Sequence, residues 1–360
     1  MKDLHSFGWY AARVSPHLPK EAFKPVPTRL FGGLAYFLVA LAGIFSVSLF
    51  NLPFWANTLI AMAIGLCFAG MCFLGHEILH GTVVRKPFLR DFLGGVAFSS
   101  IGIGPKLWRK WHNMTHHVHT QHEHNDPDTW STAEFISKRP LLAFFFRQPN
   151  FIRMIGYIIF LTFNFTLHST RMFFVFFKEF KPNKQPLVLL ELLLPWATWI
   201  VLLFVVGPVK WVFIFLIPAA IANFIMSSYI ATNHNLNPQM EVNDPLANSL
   251  SVTVPKWVNV LHFNFSYHTE HHLFPAMSSK YYPLVKEKIK EFWPERYHEM
   301  PMSRAMLILL KTPRPYLKED ELVDMFNGKV YSVLGKGLNP EKVESHKKLN
   351  LKQVLLPSKK

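Results

Sequence analysis

Long apolar stretches dominate the pattern of hydrophobic and polar positions along this chain. Four of them are long enough for a helix to cross a hydrocarbon core of ~30 Å, and they contain Glu191 as their one charged residue: residues 30–50, 54–75, 186–206 and 211–232. Connections of only three or four residues, at 51–53 and 207–210, join these stretches in pairs. The pattern therefore predicts an all-α integral membrane protein with four transmembrane helices in two hairpins.

Two shorter apolar runs, at 92–104 and 154–167, separate the hairpins. Runs of ~10–14 residues are more often interfacial than spanning. We therefore expect both runs to lie against the membrane, as part of a helical cap outside the hydrocarbon core. After residue 279, apolar residues recur at helical spacing between lysines and glutamates, which predicts one more amphipathic helix, on Tyr282, Val285, Ile289 and Phe292.

Composition and charge indicate how the chain sits in the membrane. Of its 360 residues, 50% are hydrophobic and 17% are charged, which argues against a soluble domain. Lys210 is the one basic residue in either hairpin loop, so the positive-inside rule places both loops outside and the rest in the cytoplasm. The formal net charge of +15 then favours contact with anionic headgroups and not with nucleic acid.

These features predict three parts of the chain. Residues 1–29 form a cytoplasmic N-terminal segment, residues 30–335 a membrane domain with its cytoplasmic cap, and residues 336–360 a basic C-terminal tail. For the membrane itself, we favour the bacterial cytoplasmic membrane over the endoplasmic reticulum.

The 18 histidines carry the candidate chemistry, because eight of them gather in three short groups. On a helix their spacings of three and four residues place the rings on one face. Spans three and four separate the second group from the third, so all three groups share one side of the membrane. The groups are "HEILH" with His76 and His80, "HNMTHH" with His112, His116 and His117, and "HTEHH" with His268, His271 and His272.

Eight imidazoles exceed what one zinc ion uses, which is three or four protein ligands. Two metal ions are therefore expected, although imidazole alone leaves zinc, copper, iron and nickel open. "HEILH" also has the spacing of zinc metalloproteases, so an intramembrane zinc protease is an alternative. A histidine-rich metal binder or transporter is a further alternative, but the four spans carry few of the polar residues that a transport path needs.

The three groups resemble the histidine boxes of the membrane-bound fatty acid desaturase family, acyl-lipid type. The resemblance extends from Pro27 to Tyr316 and includes "HNDPDTW" and "TNHNLNP". It implies two iron ions, with His234 after the fourth span as a ninth ligand, O2 as co-substrate, and no catalytic residue beyond the metal ligands. The implied activity is that of an oxidoreductase that introduces a double bond into a lipid-linked acyl chain.

Details within the boxes refine this resemblance. The three-residue gap in the first box is similar to enzymes that act on intact lipids, and Ile230 stands where acyl-CoA enzymes of the family carry an asparagine. Ligating imidazoles usually donate their other N–H to a carboxylate or carbonyl. The carboxylates placed to orient the rings are Glu77, Asp126, Asp128 and Glu270. His119, His122, His124 and His262 lie near the boxes without a counterpart in the family.

The reaction implied by the resemblance needs electrons from another protein. The sequence has no Gly-rich dinucleotide fingerprint and no haem or iron–sulfur motif. We therefore expect an electron donor in trans, ferredoxin-like or cytochrome b5-like, with the membrane lipid acyl chain as substrate. A hydroxylase or ketolase of the same superfamily, acting on a carotenoid, sterol or alkane, is the main alternative.

Overall fold

The computed structural model describes residues 4–350, and most of them are helical. The helices are α1 Phe7–Val14, α2 Arg29–Leu49, α3 Phe54–Leu79, α4 Pro87–Phe98, α5 Pro105–Trp111, α6 His117–His119, α7 Ala133–Ser137, α8 Pro140–Phe146, α9 Asn150–Phe176, α10 Gln185–Val206, α11 Pro208–Trp211, α12 Ile217–His234, α13 Pro245–Asn248, α14 Lys256–Leu261, α15 His268–Leu273, α16 Tyr282–Phe292 and α17 Met302–Lys311. The predicted amphipathic helix after residue 279 is confirmed as α16, which buries Tyr282, Val285 and Ile289.

Five helical segments of residues 4–350 are long and apolar enough to cross a membrane. They are Arg29–Leu49, Phe54–Leu79, Asn150–Glu179, Gln185–Val206 and Pro208–His234. Four of them contain the stretches that the sequence predicts as spans. The other one contains the run at 154–167 that was expected to be short and interfacial. This helical segment is longer than the apolar run because α9 continues through His168 and Arg171, whose polar side chains end the run but do not break a helix.

The helix α3 lies at the centre of the apolar bundle, where it packs against both α2 and α12. Two-thirds of the residues in its most apolar part are buried. Small residues permit these close approaches, as is common between helices in membranes. A Cβ atom at Gly70 would lie 2.4 Å from the Tyr36 ring of α2, and one at Gly65 would lie 2.8 Å from Ile221 of α12. This packing fixes the ends of α3 and α12, and both ends carry histidines.

Within residues 4–350, six short strands differ from the all-α expectation. Strands β1 (Ser251–Thr253) and β2 (Glu299–Pro301) form a parallel pair. A second, antiparallel sheet has the order β3–β4–β5–β6, with β3 at Tyr316–Lys318, β4 at Glu321–Val323, β5 at Lys329–Ser332 and β6 at Lys347–Lys348. Strands of two to four residues are too short to show the alternating pattern by which a strand is recognised in a sequence.

The antiparallel sheet includes part of the predicted C-terminal tail. Lys347 pairs with Val330 across β5 and β6, and its Nζ forms an ion pair with Glu321. Residues 336–350 therefore include a strand of this sheet, while residues 351–360 of the predicted tail lie outside the described residues. The sheet also contacts the chain just after α12, because the Leu334 N–H donates to the Leu236 carbonyl, 2.8 Å away.

Candidate metal centre

Nine histidines meet in two adjacent clusters at the ends of α3 and α12. In cluster A, one ring nitrogen of each member lies within 4.8 Å of those of the others: His76, His80, His112, His117 and His271. Cluster B consists of His116, His234, His268 and His272, in which Nε2 of His268 is 2.7 Å from Nε2 of His234 and 3.1 Å from Nε2 of His272. The clusters are neighbours, since the rings of His117 and His272 have centroids 4.5 Å apart.

A π-helical turn distributes the second histidine box between the two clusters. Residues His112–His116 form this turn between α5 and α6. Its wider winding brings His112 and His117, five residues apart, to an Nε2–Nε2 distance of 3.2 Å in cluster A. His116 stacks on His112 as the helical spacing predicts, with ring centroids 5.1 Å apart, but its nitrogen lies in cluster B.

The short helix α15 also supplies both clusters. His271 belongs to cluster A, with its Nε2 3.0 Å from that of His117, whereas His268 and His272 belong to cluster B. The start of α15 is held by Ser251 of β1, whose hydroxyl accepts from the N–H groups of His268 and Thr269, both at 3.0 Å. Such a contact satisfies backbone donors that the first turn of a helix leaves free.

Several rings are held through Nδ1 by groups outside the clusters, which leaves Nε2 to face inward. The Nδ1 contacts are His116 to Asp126 Oδ1 at 2.9 Å, His271 to the Tyr282 hydroxyl at 3.0 Å, His272 to the Thr120 hydroxyl at 3.2 Å and His234 to the Asn248 carbonyl at 3.3 Å. The Tyr282 and Thr120 hydroxyls donate to backbone carbonyls, so each can accept from its histidine. The four rings are therefore oriented before any ligand binds.

The electrostatics of the clusters favour neutral imidazole. Burial lowers the pKa of His112 to about 4 and holds the pKa values of His271 and His272 well below the usual range. Burial also acts to lower the pKa of His116, but the Asp126 and Asp128 carboxylates raise it to about 9. His116 is thus the exception: at neutral pH its ring carries a proton on both nitrogens, the Nδ1 proton faces Asp126, and Nε2 has to release its proton before it can bind a metal ion.

This donor set fits metal ions. The Nε2 atoms of neighbouring rings lie 2.7–3.2 Å apart, so that one cation between them would meet several imidazole nitrogens at once. In addition, Nε2 of His80 is buried and has no hydrogen-bond partner within residues 4–350. Imidazole nitrogen suits iron, zinc, copper and nickel, and two clusters provide for two ions.

Comparison with known proteins agrees with this geometry. A model of the fatty acid desaturase family matches residues 53–304, which include all nine histidines. This chain belongs to the fatty acid desaturase family. It is similar to an sn-1 oleoyl-lipid 12-desaturase of Synechocystis, with 25% identity over 77% of this chain and 80% of the relative. It is also similar to the chloroplastic omega-6 fatty acid desaturase of Glycine max, at 23% identity over 85% of this chain and 73% of the relative. A third relative is the chloroplastic omega-3 fatty acid desaturase of Brassica napus, with 25% identity over 89% of this chain and 82% of the relative.

Of the four carboxylates predicted to orient ligands in this desaturase, two contact histidines. Asp126 binds His116, and Asp128 Oδ2 lies 3.5 Å from the same Nδ1 and 4.0 Å from Nδ1 of His112. Asp128 thus reaches one histidine from each cluster. Both lie in the segment between the second box and α7.

The other two carboxylates have hydrogen-bond partners other than the cluster histidines. Glu77 accepts from Arg29 Nε at 3.0 Å and from the Ser278 hydroxyl and the Ser279 N–H at 2.9 and 2.8 Å. Glu270 accepts from the Ser251 and Tyr297 hydroxyls, both at 2.6 Å. Each is adjacent in sequence to a cluster histidine, but neighbouring side chains on a helix point in different directions.

The sequence analysis did not single out His168. Its Nε2 lies 2.7 Å from Asp128 Oδ1, so α9 supports the carboxylate that contacts both clusters. No signal near His168 could have indicated this contact, because the partners are 40 residues apart and belong to separate elements. Thr120 and Tyr282 were missed for the same reason.

The histidines without a family counterpart lie outside the clusters. His122 contacts Glu241, with 3.1 Å between Nε2 and Oε2. His124 is exposed, and the His262 Nδ1 lies 3.0 Å from the Tyr229 hydroxyl. His119 contacts the His122 ring and is absent from both clusters.

A cavity of about 520 Å³ lies between α9 and α12; none of the nine cluster histidines lines it, but it reaches Trp111 and Asn235, which are adjacent in sequence to His112 and His234. It reaches Asp128 and His168, and elsewhere its wall is mainly apolar and aromatic, with contributions from Trp130, Phe160, Leu161, Ile230 and Leu309. Its volume is in the usual range for ligand pockets. The position occupied by asparagine in acyl-CoA enzymes is here the Ile230 side chain on the wall of this cavity.

We expect Asp126→Asn to lower metal affinity and desaturase activity about 10–100-fold, the usual effect of removing a partner that orients a ligand. The backbone N–H groups of Gln121 and Asp128 donate to different oxygens of this carboxylate, so the amide oxygen can still accept from one of them, and the substitution removes the charge that faces His116. Metal titration of the purified protein measures the change. Glu134→Gln, which removes an exposed carboxylate paired with Lys138, is the control and should bind metal as the wild type does. Equal affinity in the two variants would contradict the role of Asp126.

Proposed function

We propose that this enzyme is an acyl-lipid desaturase whose nine cluster histidines hold two iron ions. The observation that carries the proposal is the convergence of these rings, with Nε2 inward, in two adjacent clusters beside an apolar cavity. The names of its relatives support the substrate class, since the Synechocystis protein acts on an oleoyl lipid. We therefore propose that this enzyme adds a double bond to an acyl chain of a membrane lipid.

When bound, the iron pair would use O2 and electrons to remove a hydrogen from each of two adjacent methylene carbons. The chain itself would hold the ions and exclude water. Trp108 stacks on His112 with ring centroids 4.4 Å apart, and Phe265 packs on His76 at 5.0 Å, so aromatic rings cover cluster A. The cavity would place the acyl chain beside Asp128 and His168.

The contacts of Glu77 speak against the zinc protease alternative. In a protease with the "HEILH" pattern, this glutamate is the general base that activates a metal-bound water. Here both of its oxygens accept hydrogen bonds, one of them from the Arg29 guanidinium. We propose that Glu77 has a structural role, which is to tie the end of α3 to α2 and to the segment after α15.

We further propose that four of the five candidate segments cross the membrane and that α9 does not. Near its start, the Tyr157 hydroxyl accepts from Asn235 Nδ2 at 3.4 Å, next to His234. After its end, Glu179 pairs with Lys110 at 2.8 Å, two residues before His112. Both ends of α9 thus lie on the side of the histidines, whereas a spanning helix has its ends on opposite sides.

In this topology the histidines, both termini and the cap face the cytoplasm. We expect cysteines introduced at Asn51 and Val209, in the two hairpin loops, to react with an impermeant thiol reagent added outside intact cells. A cysteine at Met114, which is exposed within the second box, should react only after permeabilisation. Labelling at 114 in intact cells would contradict the four-span arrangement.

The electrons for this reaction would come from a separate protein, ferredoxin-like or cytochrome b5-like. The net charge of +15 favours an acidic partner, because opposite charges accelerate association. We propose a bacterial cytoplasmic membrane as the location.

Expression in a host without desaturases, supplied with oleate, tests the proposed function. We expect membrane lipids with one additional double bond in the acyl chain, detected by mass spectrometry, and purified protein with two iron ions, one for each cluster. A hydroxylated acid in place of the double bond would favour the hydroxylase alternative. Zinc without iron in an active preparation would overturn the di-iron proposal.

A further inference from the structure

The helix α8 covers the cavity and has an exposed apolar face. Its inner residues Leu142, Phe145 and Phe146 line the cavity. On its outer side, Leu141 and Phe144 have exposed fractions of 87% and 69%. Apolar side chains therefore cover both the inner side of α8, which faces the cavity, and its outer side.

Packing at the C-terminal end of α8 holds this helix over the cavity. Phe146 packs in an apolar cluster with Val323 and Val330 of the antiparallel sheet. Phe145 lies against Gly156 of α9, where an added Cβ atom would come within 2.5 Å of the Phe145 ring. The last turn of this seven-residue helix therefore contacts both the sheet and α9.

The exposed face of α8 continues along α9. Phe151, Ile155 and Ile159 of α9 have exposed fractions of 63%, 56% and 56%. Contiguous exposed apolar surface of this kind marks a membrane or protein contact. Because both ends of α9 lie on the side of the histidines, this surface is not explained by a transmembrane span.

Basic residues flank α8 at both ends. Lys138 and Arg139 precede it and Arg147 follows it, all three exposed. Lys138 pairs with the exposed Glu134, whereas Arg147 makes no ion pair within the described residues 4–350. An apolar helix face between cations matches the interface of a bilayer, where acyl chains meet anionic headgroups. A second copy of this chain is a poor match, since both copies would carry a net charge of +15.

We propose that α8 lies in the membrane interface and forms the lateral entrance through which a lipid passes its acyl chain into the cavity. This inference rests on the proposed function, in which the cavity receives that chain. The outer side chains Leu141 and Phe144 would contact the bilayer, the cations would contact headgroups, and the inner side chains would meet the entering chain.

A spin label at Phe144→Cys, in protein with Cys67 and Cys72 replaced by alanine and reconstituted in vesicles with anionic lipid, tests the location of α8. We expect oxygen, which concentrates in the bilayer, to relax this label more strongly than a water-soluble nickel chelate does. Phe45→Cys on α2 is the matched bilayer position, and Phe326→Cys, an exposed phenylalanine in the antiparallel sheet region, is the matched position in water. A label at 144 as accessible to the nickel chelate as that at 326, or shielded from both reagents by protein, would overturn the proposal.

A kinetic comparison tests the entrance itself. Phe144→Gln should raise the apparent KM for lipid in vesicles roughly 10-fold, the effect of losing one apolar side chain from the bilayer, while kcat is unchanged. Phe144→Leu should restore the wild-type KM, and Phe326→Gln should leave it unaltered. An equal change of KM in Phe144→Gln and Phe326→Gln would contradict the entrance role. A wild-type enzyme that desaturates no lipid would overturn the proposed function. The spin-label experiment needs no enzymatic activity, so it tests the location of α8 separately.

Discussion

Replacing His268 with alanine should abolish desaturation and empty cluster B of metal. Its Nε2 lies 2.7 Å from that of His234 and 3.1 Å from that of His272, so the substitution removes one of four converging donors. Cluster A does not use His268 and keeps all five of its histidines. We therefore expect the iron content of the purified variant to fall from two ions to one, measured by elemental analysis beside a fatty acid assay.

Two control variants separate ligand loss from other effects. His124→Ala removes an exposed histidine near the second box and should retain full iron content and activity. Glu77→Gln should retain measurable activity, because the carboxylate contacts Arg29 and two serines and no cluster histidine. The Glu77→Gln substitution should lower the thermal stability of the protein, since the Arg29 guanidinium loses a buried charged partner. A His268→Ala protein with full iron content and wild-type activity would remove the third box from the site.

The nine cluster histidines could be predicted from the sequence, but their division into two clusters could not. Spacing placed His112 and His116 on one helical face, and the family resemblance added His234. The π-helical turn at His112–His116 places His116 in cluster B instead. The pattern of residue types does not distinguish a single π-helical turn from an α-helical one. Backbone geometry, which depends on packing around the turn, decides this division.

The spans show the same limit of sequence reasoning. Absence of charge marked the two hairpins because bilayer insertion depends on composition summed over some 20 residues. For α9, composition is ambiguous: the helix is long and apolar enough to cross, and the proposal that it does not cross depends on contacts near its two ends. Those contacts join residues far apart in sequence, as does the contact of His168 with Asp128. A single sequence contains no record of such pairs.

The cavity beside the histidines offers a test of substrate placement that leaves every histidine intact. Ser227 of α12 lines this cavity, is almost fully buried, and has a hydroxyl without a hydrogen-bond partner among residues 4–350. It precedes His234 by seven residues, or about two helical turns. A larger side chain at this position can therefore extend into the cavity without displacing a cluster histidine.

We expect Ser227→Phe to lower desaturation of long acyl chains at least about 100-fold, because a misplacement of ~1 Å at the reacting carbons is enough for such a loss. Iron content should equal that of the wild type, since no cluster member changes. Ser227→Ala is the matched control: it removes the unpartnered hydroxyl without adding volume, so activity should persist. The two variants are compared by fatty acid analysis and elemental analysis of the same preparations. Equal losses in both would implicate the hydroxyl instead of the cavity volume, and an unimpaired Ser227→Phe enzyme would place the acyl chain elsewhere.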